Sequence, residues 1–303
     1  MSYSYPAAAP TLAGDVLTVN RFLNNPTLVA RRVAELSRQR FIGDVLLTGR
    51  SDVEGGAVQF ETDDTLYSDR PVERVSPGGE YPLATVGTGT ASIAKTEKWG
   101  QDTLVTDEKI KRERMQAAER AMGILANSVV KQFDSVCLSL IASAVTQTIA
   151  ASSAWSGATP TILRDIMRAK ATIAALNKGY NPNVLVVDDM TWAYLGSDAA
   201  LMNAMARESQ NNTVYTGEFS VVAGLLILPT PNLPATGAWM VDTNLLGGIG
   251  NEDLGGGYGR WAGSPIETKS MREDKEDQFR LRARRVAVPY VNNPGAAIRI
   301  TGI

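Results

Sequence analysis

The feature that most narrows the fold lies between residues 107 and 150. Apolar or small residues recur at Met115, Ala118, Met122, Leu125, Val129, Phe133, Val136, Leu140 and Ala144, in steps of three and four that mark one face of an α-helix. Thr106 and the acids Asp107 and Glu108 stand where a helix start favours an N-cap and negative charge. Unbroken, such a helix is on the order of 60 Å long, more than a compact domain of this size normally houses. Its first turns, DEKIKRERMQAAER, are charged on nearly every side, whereas the later turns are almost wholly apolar or small. One end is therefore expected in solvent and the other in a core.

What precedes this helix has little core of its own. Residues 1–25, with Pro6 and Pro10, lack any period and read as an extended arm. A helix is expected from Pro26, with Leu28, Val29, Val33 and Leu36 on one face and Gly43 just past its end. Residues 50–95 then carry short β-like fragments, turn signals at Gly55-Gly56 and Pro77-Gly78-Gly79, and few large apolar residues. A two-stranded excursion of this kind is marginal alone in water, and a long insertion without a core is expected either to be disordered or to clamp onto something else.

After the long helix, SSAWSGATP breaks the pattern and reads as a hinge into an α/β unit. TPTILRDIMRAKATIAALNKGY is expected as a helix opened by Pro160 and closed at Gly179, and DAALMNAMARES as another. NVLVVDD reads as a buried strand, and LLILP and AWMVD as two more. The eight glycines of 247–263 predict a mobile loop. IETKSM, the charged turn REDKED and QFRLRARRVAVP form an expected hairpin, and AAIRI a last strand.

That hairpin poses the main physical problem. As a strand, QFRLRARRVAVP sends Arg280, Arg282 and Arg284 to one face and Phe279, Leu281 and Ala283 to the other. So dense a cation row repels itself and needs an anionic cover. The chain's charge is segregated although its net value is only −2: residues 52–80 hold eight acids against Arg70 and Arg74, and residues from 278 onward hold five arginines and no acid. Residues 21–50 carry six arginines against Glu35 and Asp44, which suits phosphate attraction or a solvated helix face equally. Three covers for the row stay open: the acidic excursion of another copy, nucleic acid, or carboxylates of the same chain such as those of REDKED.

Catalytic chemistry has little support. The absence of histidine removes the commonest general base and most transition-metal sites. Cys137 is the single cysteine, on an apolar helical pattern, and reads as a core residue. GTASIAKT followed by VLVVDD imitates a P-loop and a magnesium-holding strand, yet Ala94 replaces the second glycine and EKWGQDTLV does not begin a helix. Asp188 and Asp189 read instead as cap and turn residues. GGIGNEDLGGGYG lacks the lysine of a P-loop, and Ser51 has neither a nucleophile elbow nor a base. No catalytic residue, cofactor or metal is expected. The N-terminus lacks the pattern of a signal peptide, and VVAGLLILP is too short to span a bilayer, so no membrane partner is expected.

The order of arm, coreless β excursion, very long helix, α/β unit, return hairpin and final strand resembles the major capsid protein of tailed double-stranded DNA bacteriophages, the Hong Kong 97-type fold. VAGLLILPTPNLPATGAWMVD is similar to that family's A-domain strand, loop and strand, and REDKEDQFRLRARRVAVPYVNNPGAAIRI to its P-domain return. The resemblance implies an α+β fold with an N-arm at 1–50, an extended β E-loop at 51–95 and a P-domain with its spine helix at 96–154. It further implies an A-domain at 155–261, a P-domain return hairpin at 262–287 and an A-domain C-terminal strand at 288–303. It implies pentamers and hexamers, assembled in the bacterial host cytoplasm, forming the shell of a virion. Portal and scaffolding proteins, a decoration protein and nonspecifically held packaged DNA are the implied partners; an encapsulin-like compartment shares the fold. Subunit contacts are expected from Glu61, Asp63, Asp64, Asp69, Arg70 and Arg74 of the excursion and from Arg280, Arg282 and Arg284. The best-known member welds its subunits through an E-loop lysine, but residues 51–94 hold none, so a noncovalent shell is expected.

Overall fold

The computed structural model describes residues 19, 22–37, 41–62, 66–85, 87, 89–113, 115–157, 159–198, 201, 221–234, 237–260 and 264–303. In chain order the helices are α1 (Pro26–Ser37), α2 (Ile42–Leu46), α3 (Asp107–Glu113), α4 (Met115–Ala144), α5 (Ile162–Ala174) and α6 (Asp189–Ser197). The first seven strands are β1 (Gly49–Val53), β2 (Ala57–Thr62), β3 (Thr90–Lys95), β4 (Glu97–Thr106), β5 (Thr148–Ala150), β6 (Val184–Val187) and β7 (Val221–Val222). The remainder are β8 (Leu225–Pro229), β9 (Ala238–Val241), β10 (Gly247–Glu252), β11 (Gly259–Arg260), β12 (Glu267–Glu273), β13 (Gln278–Val291) and β14 (Ala297–Thr301). Two compact units result, one of residues 1–41, 96–134 and 251–287, the other of 42–95, 135–250 and 288–303.

In the first unit, β12 and β13 form the expected hairpin, with Glu267 opposite Arg284 and Glu273 opposite Gln278. Asp277 closes its turn in the left-handed region at φ 47°. β4 runs antiparallel along the other side of β13, from Thr106 opposite Gln278 to Glu97 opposite Ala287. Alternation then gives the sheet a buried face of Phe279, Leu281 and Ala283. The Phe133 ring of α4 lies over that face, with the Arg285 guanidinium carbon 3.6 Å from its centroid. On the helix, Ala118, Met122, Leu125, Val129 and Phe133 are buried as the spacing predicts. Beyond them the stripe shifts: Cys137 and Ile141 are buried in place of Val136 and Leu140. A step of 3.6 residues from Phe133 falls between Val136 and Cys137, and packing selects the latter. α1 begins at Pro26 as expected and buries Val29, Ala30 and Val33, packing against β12 and β11. Gly43, expected beyond its end, instead belongs to the short α2. Of the arm expected at 1–25, Val19, Phe22 and Leu23 are buried, and residues 1–18, 20 and 21 lie outside the described ones.

The long helix ends at Ala144 rather than near 150. Thr148 and Ile149 are β-branched and pair as β5 in parallel with β14, Ile149 opposite Ile300. Residues 116–144 are apolar and long enough to cross a bilayer by composition, contrary to the expectation from VVAGLLILP, but the most apolar stretch is half buried inside the protein, as a core helix requires.

The second unit holds a sheet in the order β5-β14-β9-β6-β8-β7. All four residues of β6 and of β9 are buried, the continuous apolar texture of strands covered on both faces. α5 lies against β14 and buries Ile162, Ile166, Ala169 and Ile173. The stretch expected as a hinge is pinned by Asp165, which is 1% exposed. Its carboxylate accepts from Ser152 N at 3.0 Å, Trp155 Nε1 at 3.2 Å and Thr161 Oγ1 at 3.3 Å. Asp188 caps α6, accepting from Thr191 N at 3.0 Å as expected. The helix expected around 198–209 lies almost wholly outside the described residues.

The glycine-rich stretch is only partly a loop. Gly247, Gly248 and Gly250 form the core of β10, because their backbone is pressed against its neighbours. A Cβ on Gly247 would stand 2.2 Å from the Tyr290 carbonyl oxygen, and one on Gly250 would stand 2.6 Å from a Val58 methyl. The glycines here purchase proximity rather than mobility. Gly255, Gly256 and Gly257, all at positive φ, make the actual turn.

Candidate assembly surface

Strand pairing places the arginine row in the middle of the first unit's sheet, and the same register supplies its cover. Arg282 stands opposite Asp102 on one side and Lys269 on the other. Its Nε and one terminal nitrogen donate to the two Asp102 oxygens, each at 2.7 Å, a bidentate pair. Hydrogen bonding from Arg282, reinforced by its charge and that of Arg280, holds the Asp102 carboxyl below its ordinary value despite partial burial. The same pairing raises Arg282. Arg280 Nε lies 2.5 Å from Glu273 Oε1, an ion pair without an aligned hydrogen bond, and its NH1 is 3.5 Å from Asp102.

Arg284 is deeper. Its Nε donates to Glu267 Oε2 at 2.7 Å and one NH2 donates to the Gly255 carbonyl at 2.8 Å. The Tyr258 ring stacks on its guanidinium at 3.4 Å. Glu267 also receives Arg260 at 2.5 Å, so one buried carboxylate answers two cations. Lys269 Nζ donates to the Gly256 carbonyl at 2.9 Å. Among the described residues, then, the row is covered by carboxylates of its own chain: Asp102, Glu267 and Glu273, the last belonging to REDKED. Asp102 and Glu267 escaped the sequence reading. Their signal was cross-strand complementarity, legible only once EKWGQDTLVT is recognised as a strand. Arg285, on the opposite face, is fully buried with Phe41 and Phe133 around its guanidinium.

The excursion is built differently. β2 and β3 form a two-stranded ladder from Ala57 opposite Lys95 to Thr62 opposite Thr90, and Phe60 stacks on Tyr290 with centroids 5.2 Å apart. Glu61 is exposed near its end, and Asp63 and Asp64 lie outside the described residues. Asp69 accepts from the Thr85 amide at 3.0 Å and from the Thr85 hydroxyl, tying the two limbs of the loop together. Those bonds hold its carboxyl below the ordinary value. Arg70 pairs with Glu73 at 2.9 Å and Arg74 is exposed. Tyr67 donates to the Asn177 carbonyl at 2.7 Å. Most of the loop's larger apolar side chains are uncovered: Val72 is 100% exposed, Leu83 90% and Tyr81 81%. An apolar surface presented on a self-tied loop has the character of a contact site.

The nucleotide reading finds no support in the geometry. GTASIAKT is largely the strand β3, and strand β4 follows where a phosphate-binding helix would begin. Among the described residues no group of three acid or cysteine side chains is placed to hold a metal.

Comparison with known proteins bears on the whole arrangement. A family model described as phage capsid protein matches residues 89–300. No curated protein matches the sequence. Among solved structures, the fold is similar to the capsid of cyanophage P-SCSP1u, with TM-score 0.60, 13% identity, and coverage of 86% of this chain and 87% of that one. It is similar to a chain of Microbacterium phage Oxtober96, with TM-score 0.61, 13% identity, and coverage of 86% and 90%. It is also similar to the SrpI encapsulin of Synechococcus elongatus PCC 7942, with TM-score 0.56, 12% identity, and coverage of 88% of each chain. At these identities the likeness concerns the fold.

Proposed function

This chain belongs to the phage capsid protein family, a family of structural proteins of the virion shell, and from that premise we propose that it self-assembles into pentamers and hexamers enclosing a tailed phage's double-stranded DNA. Assembly takes place in the host cytoplasm, with portal and scaffolding proteins as further partners and a decoration protein as an optional one. The observation that carries this reading is the self-tied loop at 66–85, most of whose larger apolar side chains are exposed among the described residues. Burying them against a sibling offsets the entropy of ordering the loop. Head-to-tail contacts of this kind are heterologous and close into rings.

In this reading 1–50 serves as N-arm, 51–95 as E-loop, 96–154 with 262–287 as P-domain and 155–261 with 288–303 as A-domain. Glu61, Asp63, Asp64, Asp69, Arg70 and Arg74 take part in subunit contacts. Arg280, Arg282 and Arg284 contribute a stiff, paired cation face rather than bare charges. Purified protein examined by size exclusion and negative-stain imaging should give megadalton spheres; a 32.5 kDa monomer under all conditions would end the proposal. The encapsulin likeness supplies a second reading, a compartment for protein cargo. Nucleic acid inside native particles supports the phage shell, and an enzyme inside them supports the compartment.

A further inference from the structure

β4 pairs with β13 along one side, and among the described residues no strand pairs with its other side. It is ten residues long, and an edge of that length is a template for another strand. Two concavities flank this edge at the same place. One, of 410 Å³, lies on the arginine face and is lined by Lys98, Gly100, Gln101, Asp102, Tyr258, Arg282 and Arg284. The other, of 300 Å³, lies on the opposite face and is lined by Trp99, Ser128, Val129 and Gln132, again with Gly100 and Gln101. Gly100 and Gln101 line both, so the two concavities border the same stretch of β4. The indole Nε1 of Trp99 is buried without a hydrogen-bond partner. On the arginine face, Lys98 is exposed and has no carboxylate within ion-pair reach among the described residues.

A strand added here alternates its side chains between the two concavities. The required pattern is an acid toward Lys98 and Arg284, with apolar side chains at alternate positions toward Trp99 and Val129. Residues 79–85 of the loop, GEYPLAT, carry that pattern: Glu80 falls on one face and Tyr81 and Leu83 on the other. This stretch is in neither helix nor strand, and Tyr81 and Leu83 are 81% and 90% exposed. Pro82 shares the parity of Glu80, so its missing N–H falls on the side turned away from β4 when Tyr81 and Leu83 bond to it. The loop's surplus of acids complements the cationic face.

We propose that residues 79–85 of a second copy of this chain add as a strand to the open edge of β4, placing Glu80 in the cationic concavity and Tyr81 and Leu83 against Trp99. Strand addition of this type takes affinity from main-chain hydrogen bonds and specificity from alternate side chains. The inference rests on the shell reading, and the test separates the two. Particles are formed from Tyr81→Cys/Gln101→Cys and Leu83→Cys/Gln101→Cys double variants, then oxidised and run on a non-reducing denaturing gel; paired strands bring Cα atoms within disulfide range. A ladder of dimers and higher species, absent from each single variant, is expected from at least one pair. Well-formed particles that give no ladder from either pair, or only a faster-running internally linked monomer, overturn the strand while leaving the shell intact. Wild-type protein that never forms particles overturns the shell reading first. If the double variants do not assemble, hydrogen exchange on wild-type particles decides: β4 amides should exchange at least tenfold more slowly than in dissociated subunits, and equal rates refute the pairing.

Discussion

Asp165 is the residue whose removal gives the most sharply defined energetic consequence. It is 1% exposed, and its carboxylate is the acceptor for the Ser152 amide and the Trp155 indole N–H. Trp155 is itself buried, so its indole has no ready access to water. In Asp165→Ala both donors lose their partner, each at about 1–3 kcal/mol, for a combined loss of about 3–5 kcal/mol. Thr161 and Arg168 also contact the carboxylate, but both keep partial access to solvent and recover most of what they lose. Asp165→Asn retains one acceptor and turns an amide donor toward other donors, for a loss of about 2 kcal/mol. The assay is urea unfolding of dissociated subunits, followed by tryptophan fluorescence and circular dichroism together. Acid dependence is the second signature. Burial pushes the carboxyl upward, but its hydrogen bonds from Ser152, Trp155 and Thr161 prevail and its folded value lies below the ordinary 3.8. A depressed folded value means the stabilisation is complete above about pH 4 and drains away as pH falls through the folded value. The Asn variant should lack that component. An Ala variant within about 1 kcal/mol of wild type would refute the account of a pinned loop.

Charge exchange tests the cover assigned to the arginine row: Asp102→Arg and Arg282→Asp should each lower subunit stability by about 1 kcal/mol, modest because both side chains keep solvent contact, and the double exchange should recover at least half. A double variant no more stable than the worse single would show that the cover lies elsewhere. Because Asp102 too is held below 3.8, its contribution should persist at neutral pH and fade only below about pH 4. Gly247→Ala should cost about 3 kcal/mol or more, since its Cβ meets backbone rather than a movable side chain, whereas Gly123→Ala, with open space around it in α4, should gain about 0.5–1 kcal/mol. Thermal unfolding of both variants gives the comparison, and equal effects would contradict the steric reading. Mature particles boiled in denaturant should run as a single monomer band, reflecting the absence of lysine from 51–94; a ladder would reveal covalent linkage.

Much of the architecture was legible because it rests on periodicity. The stripe from Ala118 to Phe133, the buried runs of β6 and β9, and the β12–β13 hairpin all announce themselves through spacing. The absence of core side chains from 66–85 was equally visible, since it is a matter of composition. β4 was not legible, for an edge strand exposed on much of its surface needs no strict alternation, and its identity comes from pairing with β13. The same holds for Asp102, whose role depends on standing opposite Arg282. Arg285 lies on the face of Leu281, where a cation contradicts the hydrophobic pattern until two aromatic rings surround it. The misread glycines of β10 illustrate the same limit: sequence shows that a residue is small, but not whether smallness serves a turn or a close approach.

β14 has a consequence for biosynthesis. It lies between β5 and β9 and not at a margin of its sheet. A nascent polypeptide halted before residue 297 would leave β5 detached and one side of β9 open, so the second unit cannot close until translation has delivered this segment. Closure of this sheet therefore depends on a pairing between segments far apart along the chain, Thr148–Ala150 with Arg299–Thr301, and long-range pairing of this kind is slow to form.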